Sequence, residues 1–291
     1  MELIDGKKVA NDIKGELKEK IEKEDLKPGL AIILANHSAA SEIYVRNKLQ
    51  ACEKIGVEAN LYSFDEEATE QNLIDCIIKL NQDENIHGII VQSPVYDTLN
   101  EEYITSFIDP NKDVDGFGIV NMGFLASNQT KFLSATPYGI IKLLESVSVP
   151  MEGAHVVIVG RSQIVGRPLA LALLNRNATV TITHSKTKNL KEITKTADIL
   201  VVAIGKPKFI TEEYVKEGAV VIDVGINRVD GKVYGDVDYE RVSKTASYLT
   251  PVPGGVGPMT IAMLLNNVVL SASRFKMGKE DDLWTRKLRK H

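Results

Sequence analysis

GAHVVIVGRSQIVG, residues 153–166, runs from an apolar, β-branched stretch into a glycine-punctuated loop and then a helix-like segment. A dinucleotide-binding unit begins in this way. Residues 156–159 read as a strand buried on both faces, Gly160 lets the chain turn sharply, and Gly166 lets the backbone approach a pyrophosphate at the next helix's N-terminus. The spacing is G-x5-G rather than G-x-G-x-x-G, and a tight turn in any parallel sheet also uses glycine, so a cofactor loop and a plain βα turn both fit this stretch alone. The sequence beyond it favours the first. ATVTITHS (178–185), DILVVAIG (198–205) and AVVIDVG (219–225) are further short apolar runs separated by polar helical segments, the rhythm of a parallel sheet. In an open doubly wound sheet, ligands sit beyond the carboxyl ends of the strands, and Gly160, His184, Ser185, Gly205 and Gly225 all fall at such ends.

The same residues bear on which cofactor is bound. A fold that prefers NAD usually carries Asp or Glu about 20 residues past the first glycine to hold the adenosine ribose. Here that position reads His184-Ser185, and Arg161-Ser162 follows Gly160 directly. A cation and two hydroxyls stand where an acid would repel phosphate, which points to NADP. The competing reading makes Arg161 a turn cap and His184 an ordinary strand-end histidine.

Length and composition set the wider frame. A chain of 291 residues exceeds one average domain, and 44% hydrophobic with 25% charged residues is ordinary for a globular enzyme, so two domains are expected. The net charge of −4 offers no basic surface to grip a phosphate backbone, and no nucleic-acid partner is expected. Cys52 and Cys76 are too few for a disulfide framework or metal cluster, and no two of the five histidines stand at ligand spacing, so no metal is expected. The N-terminus lacks the apolar core of a signal peptide and no run of 18 apolar residues occurs, which suggests a cytoplasmic protein with no membrane partner.

The first half repeats the α/β alternation, with strands expected at 29–35, 57–64 and 87–94 and helices near 6–24, 39–55 and 69–82. A polar loop, DPNKDVDG, follows at 109–116, and a further helix begins near 137 with Pro137 in its first turn. The loop-like SNQTK at 127–131 places a domain boundary near 127–137. From Met259 the chain reads as a long helix followed by a charged tail that carries Trp284.

Tyr44 and Lys48 lie four apart on an expected helix and share one face, with Cys52 continuing the row. Such a face can hold a substrate, or it can pack Tyr and Cys while the lysine snorkels outward. Gln92 at a strand's carboxyl end and Asp115 in an Asp-x-Asp-Gly loop are open in the same way between site residue and turn or cap. TPVPGGVGPMT (250–260) is more pointed, because three prolines and three glycines in eleven residues cost foldability. Glycine permits close approach to a ligand and proline holds that geometry in advance, so this loop reads as ligand-binding.

Several independent motifs then carry a resemblance over essentially the whole chain: Ser41-Tyr44-Lys48 as S-x-x-Y-x-x-x-K, Val91-Gln92-Pro94 as VQ-x-P, KDVDGF at 112–117, TP-x-G at 136–139, GRS-x-IVG at 160–166, HSKT at 184–187, IDVGIN at 222–227 and PVPGGVGPMT at 251–260. The sequence resembles the bifunctional methylenetetrahydrofolate dehydrogenase/methenyltetrahydrofolate cyclohydrolase family. The resemblance implies two α/β domains with a folate cleft between them. Residues 1–136, completed by a C-terminal helix at 260–291, would form the catalytic domain, and 137–259 a Rossmann-like, doubly wound NADP-binding domain. It implies Lys48 as the main catalytic group, Tyr44 stacking on the folate, Gln92 tuning the lysine and Asp115 holding the pterin nitrogens. Val91, Ser93 and the loop from Pro253 through Gly254, Gly255, Gly257, Pro258 and Thr260 to Ile261 would line the folate site. Gly160, Arg161, Ser162, Ser185 and Ile226 match the family's NADP contacts, and Ile164, Gly166 and His184 belong to the same loops. A homodimer formed through the cofactor domain is inherited from the family.

The sequence departs from the family near the folate site: the common VQLPLP reads VQSPVY (91–96), the cysteine before TP-x-G is Ala135, and DGFH ends in Gly118. Tyr44, Lys48, Gln92 and Asp115 are intact, so both activities are expected. A dehydrogenase without hydrolase activity is disfavoured by Lys48, and a non-catalytic nucleotide-binding protein by the complete set of polar site residues.

Overall fold

Apolar runs too short for helices, punctuated by glycine and polar turns, pair here as parallel strands. The structure is a computed structural model and describes residues 1–278; Trp284 and the charged tail lie outside the described residues. In chain order the first elements are β1 (Glu2–Leu3), α1 (Gly6–Lys23), β2 (Gly29–Leu34), α2 (Ala39–Ile55), β3 (Glu58–Ser63), α3 (Glu70–Gln82), β4 (Gly88–Gln92), α4 (Glu101–Thr105), α5 (Ile119–Ala126) and α6 (Ala135–Ser146). The glycine-loop strand β5 (His155–Val159) then leads to α7 (Gly166–Leu174), β6 (Thr179–Thr183), α8 (Leu190–Thr194), β7 (Ile199–Val202) and β8 (Val220–Asp223). A hairpin of β9 (Asn227–Val229) and β10 (Lys232–Tyr234), then α9 (Tyr239–Val242), β11 (Tyr248–Leu249) and α10 (Val256–Lys276), complete the chain.

Two compact units result: Met1–Asp12 with Phe124–Met263, and Ile13–Gly123 with Leu264 onward, the divisions falling inside α1, α5 and α10. The first unit holds a six-stranded sheet in the order β1-β11-β8-β7-β5-β6, parallel throughout. Strand β5 has β6 on one side and β7 on the other, so the order reverses there; this is the topological switch point of a doubly wound sheet, where ligands bind beyond the strand ends. Central β5 and β7 are buried along nearly their whole length, as strands covered on both faces must be.

The second unit holds a three-stranded parallel sheet, β3-β2-β4, in which Ile32 of β2 pairs with Leu61 and Ile90. Every residue of β2 is buried. Leu73, Ile77 and Leu80 recur at helical spacing on α3 and pack with Ile33, Ile89 and Val91. Burial of each such side chain contributes about 1.5–3 kcal/mol. Lys112 is buried too, its Nζ donating to the carbonyls of Leu80 (2.9 Å) and Asp83 (2.7 Å) at the C-terminal end of α3. The far part of α10 fastens the following loop: Asn267 Nδ2 donates to the Val114 carbonyl (2.8 Å) and Ser271 Oγ to that of Asn111 (3.1 Å). Helix α10 is long and apolar enough to cross a membrane, but 67% of that stretch is buried within the protein, as in a core helix.

Three features were not expected from sequence patterning. Strands β1 and β11 have two residues each and exist through pairing with their neighbours. The β9–β10 hairpin turns at Asp230-Gly231, both with positive φ (49° and 76°), as a two-residue type I′ turn requires. The stretch after the 109–116 loop contains α5, whose start follows from a loop described below.

Candidate active site

Helix α2 starts at Ser38, whose hydroxyl accepts from the Ser41 N–H, and stops at Gly56 in the left-handed region (φ 86°). Between these caps Tyr44, Lys48 and Cys52 lie in one row, as their spacing of four demands. The row grades from outside to inside: Tyr44 is 47% exposed, Lys48 half-buried and Cys52 buried. Burial pushes the Cys52 thiol up to about 12, so it is an inert packing group.

Strand β4 ends at Gln92, which is 8% exposed. Lys48 Nζ donates to Gln92 Oε1 at 3.0 Å, and Gln92 Nε2 donates to the Ser93 carbonyl at 2.7 Å. Both ends of the amide are therefore committed, and its oxygen faces the lysine. The third member is Asp115. Burial lowers the Lys48 pKa, with the charge of Asp115 opposing it; burial raises Asp115 to about 6, with Lys48 pulling it down and Asp113 and Glu101 pushing it up. Part of each side chain remains accessible, yet both charged groups are desolvated enough to shift toward neutrality.

Asp115 is presented by a loop built on a residue that sequence reasoning missed. Asp113 accepts from the N–H groups of Gly116 and Gly118 (3.0 Å each) and from Asn121 Nδ2 (2.8 Å). These bonds close the turn and lead into α5; the Asp-x-Asp-Gly pattern was the available signal. A Cβ at Gly118 would lie 2.7 Å from Asp113 Oδ2, so glycine suits the tight loop. Ser93, another departure from the family pattern, donates its hydroxyl to Glu101 in the first turn of α4. Val91 and Val95 pack in the core, which leaves Val91 only its backbone for a ligand.

The remaining candidates belong to the other unit. Gly160 has φ 126°, and a Cβ there would sit 2.2 Å from the Ala203 carbonyl oxygen after β7; one at Gly166 would sit 2.2 Å from the Gly160 carbonyl oxygen. The loop is too tight for any side chain at either position. Ser162 Oγ accepts from Val165 N (3.2 Å) and Gly166 N (3.5 Å) at the start of α7. Arg161, Ser162, Ile164, Ser185 and Ile226 are exposed, the two isoleucines at 53% and 50%. His184 is tied into its own turn, its Nδ1 accepting from Lys186 N (3.1 Å), so its ring serves the loop locally.

In the proline-glycine loop, Gly254 and Gly255 are buried and Pro253 is exposed. The loop rests on the N-terminal segment: Lys7 N donates to the Gly254 carbonyl (3.0 Å), and a Cβ at Gly6 would meet the Gly255 oxygen at 1.9 Å. Thr260 Oγ1 lies 3.0 Å from Thr136 Oγ1.

Comparison with known proteins decides the family. Residues 4–115 match the tetrahydrofolate dehydrogenase/cyclohydrolase catalytic domain, and residues 134–276 the NAD(P)-binding domain of the same family. The chain belongs to the tetrahydrofolate dehydrogenase/cyclohydrolase family. Among members of this family, the bifunctional protein FolD of Bacillus cytotoxicus is 49% identical over 276 residues, 94% of this chain and 96% of the relative. FolD of Halalkalibacterium halodurans is 50% identical over 273 residues, covering 93% and 98%. The family's crystal structures agree: the bifunctional FolD dehydrogenase/cyclohydrolase of Campylobacter jejuni superposes with a TM-score of 0.92 at 47% identity, covering 94% of this chain and 99% of that one. The Trypanosoma brucei member, solved with NADP and an inhibitor, gives 0.89 at 35% identity, covering 96% and 99%.

Proposed function

We infer that this protein oxidises 5,10-methylenetetrahydrofolate with NADP and hydrolyses the resulting 5,10-methenyl compound to 10-formyltetrahydrofolate. Membership of the family supports both activities, and one observation carries the assignment of residues: the Lys48 Nζ to Gln92 Oε1 bond of 3.0 Å with Asp115 beside it.

The groups of the β5 loop fit NADP. Gly160 and Gly166 leave a cradle that a Cβ would fill, Arg161 supplies a cation for the extra phosphate, Ser162 and Ser185 supply hydroxyls, and Ile164 and Ile226 offer apolar surface. When bound, NADP supplies the hydride acceptor for the first reaction. The protein's part in that step is placement, with no obligatory side-chain acid or base.

Hydrolysis makes a different demand. Water adds to the cationic methenyl carbon and gives up a proton, leaving a neutral carbinolamine; its hydroxyl then loses its proton to become the formyl carbonyl as one carbon–nitrogen bond breaks and a proton reaches the departing nitrogen, so that one proton is released overall. A positioned amine whose pKa is depressed by burial can accept the proton of the adding water and deliver one to the departing nitrogen. Gln92 holds Lys48 in place, and Asp115, ionised above about 6, is assigned to the pterin's N–H donors. Tyr44 supplies an exposed ring for stacking and Ser93 a further polar contact, and the family resemblance adds the 253–261 loop as a folate-binding segment. Of the expected catalytic domain, residues 1–136 with the C-terminal helix, we assign the folate chemistry to the unit of Ile13–Gly123 with Leu264 onward, and the cofactor to 137–259, whose unit also takes in residues 1–12, with β1, and 124–136. We also place the protein in the cytoplasm as a homodimer paired through the cofactor domain, as the family resemblance suggests; mass in solution tests the latter.

NADPH formation from methylenetetrahydrofolate, with NAD as the comparison, tests the first activity, and decay of methenyl absorbance tests the second. Both should proceed, with NADP strongly preferred. A protein that binds NADP without turnover of either folate would defeat the reading.

A further inference from the structure

Two buried carboxylates lie in the cofactor unit. Asp236 is fully buried, and both oxygens are saturated. Oδ2 accepts from the N–H groups of Ile204 (2.7 Å) and Gly205 (3.0 Å); Oδ1 accepts from Lys206 N (2.8 Å) and Asn227 Nδ2 (2.9 Å). Three successive backbone N–H groups converging on one anion, with Gly205 at φ 64°, form a concave donor nest of the kind that elsewhere grips a phosphate. Here the protein's own carboxylate fills it. Asp223, at the end of β8, accepts in turn from Gly225 N (3.0 Å), Asp236 N (2.9 Å) and Val237 N (3.0 Å).

The pair thereby fixes the loops that leave β7 and β8 at the carboxyl edge of the sheet. The β7 loop begins at Ala203, whose carbonyl presses on Gly160 so closely that a Cβ there would stand 2.2 Å away. In the β8 loop, Ile226 lies between Gly225 and Asn227, each bonded to one of the two carboxylates, and a Cβ at Gly225 would be 2.3 Å from Asp236 Cγ. We propose that Asp236, braced by Asp223, is a positioning residue for NADP: it locks the 203–206 nest and Ile226 into the arrangement that receives the dinucleotide. This rests on the assignment of NADP to the β5 loop.

The chemistry of the nest dictates the test. An Asn at 236 presents one acceptor oxygen and an N–H2 group, which only donates, to four donors, so two of them face hydrogens. Asp236→Asn should raise the KM for NADP roughly tenfold or more, since unpaired buried donors are costly, while the KM for the folate substrate and methenyl hydrolysis, which uses no NADP, stay within about twofold. Asn227→Ala removes a single donor from Asp236 and should raise the NADP KM about threefold with the same selectivity. Selective loss of NADP affinity in Asp236→Asn supports the proposal; where that variant does not fold, Asn227→Ala decides by the same criterion. An NADP KM unchanged in the folded variants, or NADP KM, folate KM and hydrolysis all shifting together, overturns it. Wild-type protein that does not reduce NADP would instead remove the functional reading, before any variant is compared.

Discussion

Replacing Lys48 by Met separates the two reactions assigned to this chain. Methionine keeps most of the length and apolar stem of lysine but removes the only donor to Gln92 Oε1 among the described residues, at 3.0 Å. Leaving that amide oxygen unpaired costs about 1–3 kcal/mol, partly offset because a desolvated ammonium is removed as well. The variant should therefore fold. The effect on chemistry is larger: positioned proton transfer is worth about 10²–10⁴ in rate, or roughly 3–5 kcal/mol of barrier, so methenyl hydrolysis should fall by at least about a hundredfold. Asp115 also loses the cation that pulls its pKa down, rises above about 6, and is more often protonated at neutral pH, so folate binding should weaken several-fold. Hydride transfer depends on placement alone and should persist at a reduced level. The assay follows methenyl absorbance for hydrolysis and NADPH absorbance for oxidation. Hydrolysis at the wild-type rate by Lys48→Met would refute the role given to the amine, and equal loss of both activities would reduce it to a folding or binding group.

Three further outcomes follow. The folded-state pKa of Asp115 is raised from 3.8 to about 6, so its contribution to stability is complete below 3.8 and is lost as pH rises through about 6, whereas its acceptor function appears above that point. The KM for the folate substrate should accordingly fall as pH rises through about 6, and Asp115→Asn should be weaker and flat in a pH–KM series. Gly166→Ala drives a Cβ to 2.2 Å from the Gly160 carbonyl oxygen and should raise the NADP KM more than about tenfold in initial-rate measurements, leaving methenyl hydrolysis nearly unchanged. Arg161→Ala removes a charge-assisted contact worth about 1.5–3 kcal/mol, so the NADP-over-NAD preference should drop by roughly ten- to a hundredfold in paired kcat/KM values.

The parts of this fold that could be read in advance are those with strong local signals. The runs at 29–35, 87–94, 156–159, 198–205 and 219–225 are buried strands because their apolar residues are continuous, and their glycine or polar ends mark the sheet edges where Gln92, Gly160 and Ile226 lie. Two-residue strands such as Glu2–Leu3 and Tyr248–Leu249 carry no periodicity; only their partners define them. The Asp230-Gly231 turn did leave a recognisable signal, a D-G pair between Val229 and Lys232-Val233. Tyr44 and Lys48 could be placed on one helix face by counting, but the bond from Lys48 to Gln92 spans 44 residues and depends on the fold bringing the two together. The carboxylates that brace loops were the least legible. Asp113 and Asp236 resemble any turn aspartate in sequence, and their roles emerge from the backbone N–H groups that fold around them.

A crystal of the protein with NADP and a folate analogue tests the central claim most directly. The account predicts the analogue's one-carbon bridge within hydrogen-bonding reach of Lys48 Nζ, with its pterin nitrogens on the Asp115 carboxylate. An analogue seated elsewhere, with Lys48 still bonded only to Gln92 and Asp115 untouched, would contradict it.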